Sequence, residues 1–344
     1  MKALVYAANG RPSLEERPKP IILKPTDAIV KMVKTTICGT DLHIFKGDVA
    51  TCATGRVVGH EGIAIVEQVG DNVSLFKPGD KVIVACITSC TTCSNCRRGM
   101  PSHCSDGGWV LGNTADGTQA EYTRVPHADG SLHHAVKGAS DDAQLMLSDT
   151  VPTGYECGVV QGKVKLGSTV AIVGSGPVGL GALVTSQLCS PLQIIMIDLN
   201  EKRLSTARSL GATHAVVSGS NVVEQVMQLT AGRGVDTVIE AVGIPATFEL
   251  CQKLVAVGGT IANMGVHGTK VDLHMETLWD KNITITTRLV DASSTAMLIK
   301  LVESSKLQLE KFVTHHFAFN DIEKVYDIFG AAEAHNCLKV VIEF

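Results

Sequence analysis

The sequence predicts an α/β protein in which a β-rich amino-terminal domain precedes a doubly wound domain built on a parallel sheet. Three observations support this prediction. Short apolar runs separated by Gly, Pro and Asp fill roughly the first 150 residues, strands and helices alternate after that point, and a glycine-rich turn opens the first helix of the alternating part. Alternation of this kind is typical of a parallel sheet that is covered by helices on both faces.

The amino-terminal part contains runs with the length and composition of strands. Residues 28–35, 62–69 and 81–85 are rich in Val, Ile and Ala, and the sequence from Lys77 to Asp80 forms a predicted turn between the last two runs. The end of the chain is predicted to form a helix over 295–304 and a strand over 338–344. We expect this last part to rejoin the β-rich domain.

From residue 153 the pattern predicts six strands with connecting helices. Six strands suit a doubly wound sheet that binds a dinucleotide. The glycine at position 211 is a common signal for the end of a helix. The predicted strands cover residues 168–173, 193–198, 215–218, 236–241, 260–264 and 283–289, and the predicted helices cover residues 177–188, 200–210, 222–230 and 245–257.

The composition excludes several classes of function. The 344 residues suffice for about two domains, and the formal net charge of -4 favours neither nucleic acid nor an anionic membrane as a partner. No apolar run reaches the ~18 residues that a membrane span requires. The amino terminus also lacks the apolar region of a signal peptide, so we expect a cytoplasmic protein.

The turn that follows the strand at 168–173 predicts a dinucleotide site. Gly174, Gly176 and Gly179 form the pattern GxGxxG, in which the glycines permit a tight turn, close approach of a pyrophosphate and close packing of helix on strand. The helix that begins with Pro177 and Val178 then directs its positive amino end towards the anion.

Asp198 predicts which coenzyme is bound. It follows Gly179 by 19 residues and ends the second strand, where a carboxylate accepts hydrogen bonds from the ribose hydroxyls of NAD and repels the 2′-phosphate of NADP. Two alternatives stay open. Asp198 could instead cap the helix that starts near Asn200, and Arg203 could contact a 2′-phosphate.

A cysteine cluster predicts a structural zinc site. Cys90, Cys93, Cys96 and Cys104 follow the pattern C-x2-C-x2-C-x7-C. Four thiolates complete a tetrahedral shell around zinc and leave no open position. Buried or redox-active cysteines are the alternative, which this spacing disfavours in a chain expected in the cytoplasm.

Cys38 and His60 are candidate ligands of a second zinc. Neither has another ligand close to it in sequence, and a lone Cys or His is more often a core residue than a metal ligand. Spacing alone therefore leaves this second site undecided.

Four motifs together resemble the zinc-containing medium-chain alcohol dehydrogenases. They are CGTDLH from Cys38, GHE around His60, the four-cysteine cluster and GSGPVG from Gly174, and the resemblance extends over essentially the whole chain. It implies a GroES-like catalytic domain over 1–152, a Rossmann domain over 153–293 and a return to the catalytic domain over 294–344. One departure is Ala64, where the family usually has a glycine; a positive φ at that position would cost about 1 kcal/mol.

The resemblance assigns the ligands of the catalytic zinc. Cys38, His60 and Asp149 would bind the ion, and Glu61 would lie behind them or act as an intermittent fourth ligand. Asp41 would accept a hydrogen bond from His60 and hold its ring. For Asp149, capping of the helix that begins near residue 152 is the alternative role.

The resemblance also implies a proton path and further contacts. Thr40 and His43 resemble the relay that carries the proton of the alcohol to solvent, with a structural threonine and a surface histidine as the alternatives. Trp109 lies where members active on secondary alcohols have a pocket aromatic, with ordinary packing as the alternative. Beyond the glycine turn, Asp198 and Arg203, the expected cofactor contacts are Thr153, Val242, Gly265, Val266 and Lys339.

The predicted function is zinc-dependent oxidation of primary or secondary alcohols with NAD, or the reverse reduction of aldehydes and ketones. A threonine or polyol dehydrogenase on the same scaffold is one alternative. A catalytically silent protein that binds NAD and zinc is another. We expect two zinc ions per subunit, one catalytic and one structural, and a homo-oligomer, with a tetramer favoured.

Overall fold

The computed structural model describes Met1–Phe344 and divides into two compact units. The first unit contains Met1–Asp149 and Asp291–Phe344, and the second contains Thr150–Val290. Each boundary lies three residues before the one expected from the sequence. None of the helices combines the length and hydropathy needed to cross a membrane.

The chain forms fifteen strands and thirteen α-helices. The strands are β1 Lys2–Tyr6, β2 Pro12–Glu16, β3 Ala28–Thr35, β4 Gly62–Val69, β5 Lys81–Val84, β6 Tyr122–Val125, β7 Leu132–His134, β8 Thr169–Val173, β9 Gln193–Asp198, β10 His214–Val217, β11 Val235–Glu240, β12 Val255–Asn263, β13 Thr284–Thr287, β14 Val313–Ala318 and β15 Lys339–Glu343. The helices are α1 Gly39–Lys46, α2 Ser94–Arg97, α3 Ala128–Ser131, α4 Asp141–Leu145, α5 Thr150–Thr153, α6 Pro177–Ser186, α7 Glu201–Ser209, α8 Val222–Leu229, α9 Pro245–Leu254, α10 Met275–Leu278, α11 Thr295–Glu303, α12 Ile322–Gly330 and α13 Ala332–His335.

The first unit is organised around a sheet with the order β14-β15-β3-β4-β5-β7, to which β6 adds by pairing with β3. The final strand β15 runs antiparallel to β3, with Ile342 opposite Thr35. This pairing is the physical reason why the end of the chain rejoins the β-rich domain. Ala64 lies within the regular pairing of β3, β4 and β5 and is not among the residues with positive φ, so it brings no backbone strain.

The second unit contains a six-stranded sheet, entirely parallel, with the order β10-β9-β8-β11-β12-β13. In order along the chain this is 3-2-1-4-5-6, the order of a doubly wound dinucleotide-binding sheet. All five residues of β8 are buried, as expected for a strand covered on both faces. The carboxyl ends of β8, β9, β11 and β12 lie at one edge of the sheet, where such folds bind ligands.

Two segments differ from their predictions. The predicted helix over 245–257 ends at Leu254, and β12 begins directly at Val255, where it pairs with Val235. A continuous apolar run hides this change because a buried helix and a buried strand have the same composition. Near residue 152, the helix α5 is followed directly by a stretch of π-helix, Gly154–Val160.

His133 on β7 should make the stability of the protein depend on pH. Burial lowers the pKa of its imidazole to about 4. As the pH falls below ~6.5, His133 becomes protonated in the unfolded chain, whereas in the folded chain it stays neutral until about pH 4. The free energy of unfolding therefore falls by up to about 3 kcal/mol across this window. We expect His133→Asn to remove this part of the loss when urea unfolding is followed against pH. His134→Asn, at the neighbouring exposed position, should retain it; equal behaviour of the two variants would contradict the prediction.

Candidate metal and cofactor sites

Cys38, His60, Glu61 and Asp149 come together in the first unit. Cys38 is the N-cap of α1, and His60 and Glu61 directly precede β4. Asp149 directly precedes α5. Their ligand atoms all lie within 4.8 Å of one another. The Asp149 carboxylate is 3.4 Å from Nε2 of His60 and 3.9 Å from Sγ of Cys38. A thiol, an imidazole and a carboxylate converging on one point are a suitable donor set for zinc.

Asp41 lies on the other side of the His60 ring. Its Oδ2 accepts hydrogen bonds from the backbone N–H of Cys38 at 3.0 Å and from Nε2 of Gln119 at 3.1 Å. Its Oδ1 faces Nδ1 of His60 at 3.7 Å, which is beyond hydrogen-bond distance, and neither atom has another partner. The predicted hydrogen bond is therefore not formed, although both atoms are placed for it. Tyr326 completes this network by donating to Oε1 of Gln119 at 2.7 Å.

The charges around this donor set favour a cation. Burial lowers the pKa of His60, but contacts with Asp149 and Cys38 outweigh burial and raise the pKa well above its ordinary value. Surroundings that stabilise a proton on His60 would also stabilise a dication held by the same atoms. The residues present therefore fit a zinc ion on both geometry and charge.

Lys339, a predicted cofactor contact, lies beside Glu61 in the first unit. Its Nζ donates to Oε1 of Glu61 at 2.7 Å and to the backbone oxygen of Ile37 at 3.2 Å, and the two charged side chains are only 2% and 1% exposed. Burial lowers the pKa of Lys339, but the Glu61 carboxylate outweighs this effect and raises it, so the side chain is a cation. Lys339 thus has a buried partner in Glu61, and its contact with the cofactor stays a prediction.

The four predicted cysteines converge as a second donor set, with all four sulfur atoms within 4.8 Å of one another. Cys93 and Cys96 sulfurs are 3.5 Å apart, the N–H of Cys90 donates to the Cys104 sulfur, and the N–H of Cys93 donates to the Cys90 sulfur. Backbone hydrogen bonds from Cys96 and Ser105 lower the pKa of the Cys93 thiol to about 5, whereas burial raises that of Cys104 to about 12. N–H donors directed at sulfur stabilise thiolates, and this set also fits zinc.

The glycine turn has the geometry expected for a pyrophosphate. Gly174 has a φ of 104°, which requires glycine. A Cβ on Gly179 would collide with the carbonyl oxygen of Gly174, whereas a Cβ on Gly176 would meet nothing within 4 Å. Gly176 therefore borders open space at the amino end of α6, which begins with Pro177 and Val178.

Asp198 contacts this turn directly. One carboxylate oxygen accepts the N–H of Ser175 at 2.6 Å, and the other accepts the N–H of Asn200 at 2.8 Å. Asn200, not Asp198, caps α7, because its side chain accepts the N–H groups of Lys202 and Arg203. The capping alternative for Asp198 therefore fails. Arg203 itself is half-buried in the first turn of α7.

Two loops at the carboxyl edge of the sheet carry the other predicted contacts. Val242 and Val266 are 44% and 59% exposed. Glu240, which the sequence did not single out, is fully buried between these loops and accepts the N–H groups of Val242 at 3.0 Å and Gly243 at 2.9 Å. A Cβ on Gly265 would collide with the backbone of Gly243. Thr153, the last residue of α5, is half-buried in the same unit.

Thr40 and His43 occupy one face of α1, three positions apart. Oγ1 of Thr40 is 3.6 Å from Sγ of Cys38, so its hydroxyl lies beside the donor set. Nδ1 of His43 is 2.9 Å from the carboxylate of Asp48, a contact that the sequence did not predict. Trp109 packs against the core and presents its ring to that of His60, with centroids 6.2 Å apart and planes at 77°.

Comparisons with known proteins establish the family. Residues 24–135 match the family model described as Alcohol dehydrogenase GroES-like domain, and residues 177–304 match that of Zinc-binding dehydrogenase. An alcohol dehydrogenase of Cupriavidus necator is 36% identical over 100% of this chain and 98% of its own length. The chain belongs to the zinc-dependent medium-chain alcohol dehydrogenase family. The GroES-like and Rossmann parts of the predicted fold are thereby confirmed.

Two further relatives of this alcohol dehydrogenase bear on its function. The apo form of zinc-dependent alcohol dehydrogenase 2 from Streptococcus pneumoniae is 53% identical, with a TM-score of 0.96 over 100% of this chain and 98% of that one. An NADP-dependent isopropanol dehydrogenase of Thermoanaerobacter brockii is 34% identical over 95% of each chain. The predicted activity, a zinc-dependent oxidoreductase acting on alcohols, is confirmed at this level.

Removal of one cluster cysteine should release one zinc. Cys90→Ser takes away a sulfur that accepts the Cys93 N–H, and we expect one zinc fewer per chain by elemental analysis and a fall in the thermal midpoint on the order of 10 °C. Cys189→Ser, at a half-buried cysteine outside both donor sets, should change neither quantity. Unchanged zinc content in Cys90→Ser would show that the cluster is not a zinc site.

Proposed function

We propose that this alcohol dehydrogenase transfers hydride between a simple primary or secondary alcohol and NAD, with a catalytic zinc held by Cys38, His60 and Asp149. One observation carries the proposal. The ligand atoms of Cys38, His60, Asp149 and Glu61 all lie within 4.8 Å of one another, and Oε1 of Glu61 also accepts from Nζ of Lys339 at 2.7 Å, so that Glu61 would act only as an intermittent fourth ligand. Three protein ligands and one open position are the arrangement of catalytic zinc, whereas structural zinc has four.

A zinc ion bound there would act as a Lewis acid and lower the pKa of a substrate hydroxyl. The chain supplies the remaining functions. Thr40 offers a hydroxyl beside Cys38 that accepts a proton, and His43 provides a base in the last turn of the same helix. Trp109 presents an apolar ring edge-on to His60, which suits a substrate with a small apolar substituent.

The NAD preference rests on Asp198. Its carboxylate stands beside the glycine turn, where it would accept hydrogen bonds from ribose hydroxyls and repel a 2′-phosphate. The Thermoanaerobacter brockii relative is an NADP-dependent isopropanol dehydrogenase, and we expect this chain to differ from it in coenzyme. Arg203 on α7 is the residue that would favour NADP if it turned towards the ribose.

Three further expectations belong to the proposal. The protein acts in the cytoplasm, since the eight candidate donors of the two zinc sites include five thiols that a reducing compartment preserves. It assembles as a homo-oligomer, with a tetramer favoured by the resemblance to short microbial members of the family. A threonine or polyol dehydrogenase, the first alternative, would use the same zinc chemistry on a different substrate. A catalytically silent protein that binds NAD and zinc, the second alternative, would not need the proton path of Thr40 and His43.

Substitution of Asp198 tests the coenzyme preference. In Asp198→Gly we expect KM for NAD to rise about tenfold, because a charged hydrogen-bond partner is lost, while KM for NADP rises less or falls. Asp236→Gly is the matched control, since Asp236 likewise accepts a backbone N–H, that of Thr169 at the amino end of β8. In the control, the ratio of KM for NADP to KM for NAD should stay at its wild-type value. An unchanged ratio in Asp198→Gly would contradict the assignment of Asp198 to coenzyme selection.

The activity itself is tested by initial rates of NADH formation. The panel contains isopropanol, ethanol, benzyl alcohol, threonine and a polyol, each with NAD and with NADP. We expect NAD-linked turnover of a simple alcohol that a zinc chelator abolishes and added zinc restores. Turnover of threonine or the polyol alone would support the alternative of a threonine or polyol dehydrogenase with the same mechanism. Absence of turnover with zinc and NAD both bound would favour the silent protein.

A further inference from the structure

The end of helix α1 has a specific backbone arrangement. Gly47 adopts a left-handed conformation, with φ 82° and ψ 11°. Its N–H donates to the carbonyl of Ile44 at 2.9 Å, and the N–H of Asp48 donates to the carbonyl of His43 at 3.0 Å. These two bonds are the pair that defines a Schellman motif, in which a glycine reverses the chain direction at the end of a helix.

The motif places Asp48 next to His43. In a Schellman motif the residue after the glycine commonly makes an apolar contact with the helical residue whose carbonyl it caps. Here that contact is polar: Oδ2 of Asp48 lies 2.9 Å from Nδ1 of His43. The side chains are 44% and 31% exposed, so the contact is formed at the surface but is held in place by the backbone beneath it.

The chemistry of this contact determines where the proton of His43 lies. A carboxylate near neutral pH only accepts hydrogen bonds, so Nδ1 must carry the hydrogen. In the neutral ring Nε2 then has a free lone pair and can take a proton.

We propose that Asp48 is a positioning residue that holds His43 in the tautomer able to accept a proton on Nε2. This inference rests on the proposed function of His43 as the base of a proton path. It adds a partner that the family motif CGTDLH does not contain, because Asp48 lies beyond the end of that motif. Substitutions of the Asp48 side chain leave its backbone N–H bond to His43 available, so the motif itself should persist.

The tautomer is measured directly by nitrogen NMR of histidine-labelled protein, with the His43 signals assigned by their loss in His43→Gln. In the wild type we expect the hydrogen on Nδ1. In Asp48→Ala it should move largely to Nε2, the tautomer that an unrestrained imidazole prefers in water. Hydrogen on Nε2 in the wild type, or no change in Asp48→Ala, would overturn the proposal. This result does not depend on turnover, so it is distinct from failure of the proposed function.

A double-mutant cycle tests the consequence for catalysis. Asp48→Ala should lower kcat for alcohol oxidation about tenfold, towards the low end for loss of a partner that orients a functional histidine, because the pair is partly exposed. In a His43→Ala background the same substitution should have no further effect. An equal loss in both backgrounds would show a merely structural role and overturn the proposal.

A matched control separates this effect from general loss of a surface pair. Glu276→Ala removes another carboxylate bound to a histidine Nδ1, that of His274 at 3.0 Å, outside the proposed site. We expect wild-type kcat in this variant. We also expect Asp48→Ala to retain its zinc content and its affinity for NADH measured by fluorescence. A loss of zinc or of NADH affinity that accounts for the fall in kcat would overturn the proposal.

Discussion

The buried ion pair between Lys339 and Glu61 is the interaction on which the candidate catalytic site depends. Two charges removed from water are costly, and their attraction offsets the cost only when geometry is good and other hydrogen bonds are made. Here the ammonium is 2.7 Å from the carboxylate and also reaches the carbonyl of Ile37, next to Cys38. The pair therefore ties the final strand β15 to the segments that carry Cys38 and His60, and loss of either partner would leave an uncompensated charge in the interior.

A second buried network supports the same ligands from another direction. Tyr326 on α12 donates a hydrogen bond to the side chain of Gln119, and the Gln119 amide donates to Asp41. The Asp41 carboxylate in turn accepts the N–H of Cys38 and faces the ring of His60. Each member satisfies a polar group that would otherwise be buried without a partner. Since its members are contributed by α12, α1 and the segment before β6, the donor set is assembled only when the whole first unit folds. The four-cysteine cluster differs, because its ligands lie within 15 residues of one another and need only local structure.

This difference explains what the sequence could predict. The glycine turn, Asp198 and the cysteine cluster are encoded locally, and strands β3, β4 and β9 were predicted with their observed bounds. Cys38 and His60 needed the family resemblance, because nothing local brings them together. The ion pair of Lys339 with Glu61 was not predicted because a basic residue in a terminal strand carries no sign of its partner. Gln119 and Glu240 were missed because buried polar residues acquire their roles only through tertiary contacts. The end of helix α9 was missed for a related reason: its apolar run continues unbroken into β12.

Helix α1 shows how stability and function can depend on the same residues. Isolated helices of eight residues are not stable in water, so α1 needs support at both ends. At its start, Asp41 accepts the N–H of Cys38, a candidate zinc ligand; at its end, the Gly47 motif places Asp48 beside His43. The groups that cap the helix thus also orient a ligand and a base. A substitution that loosened either cap would displace both the metal ligand and the proton acceptor, which explains why this chemistry can be carried by one short, rigid segment.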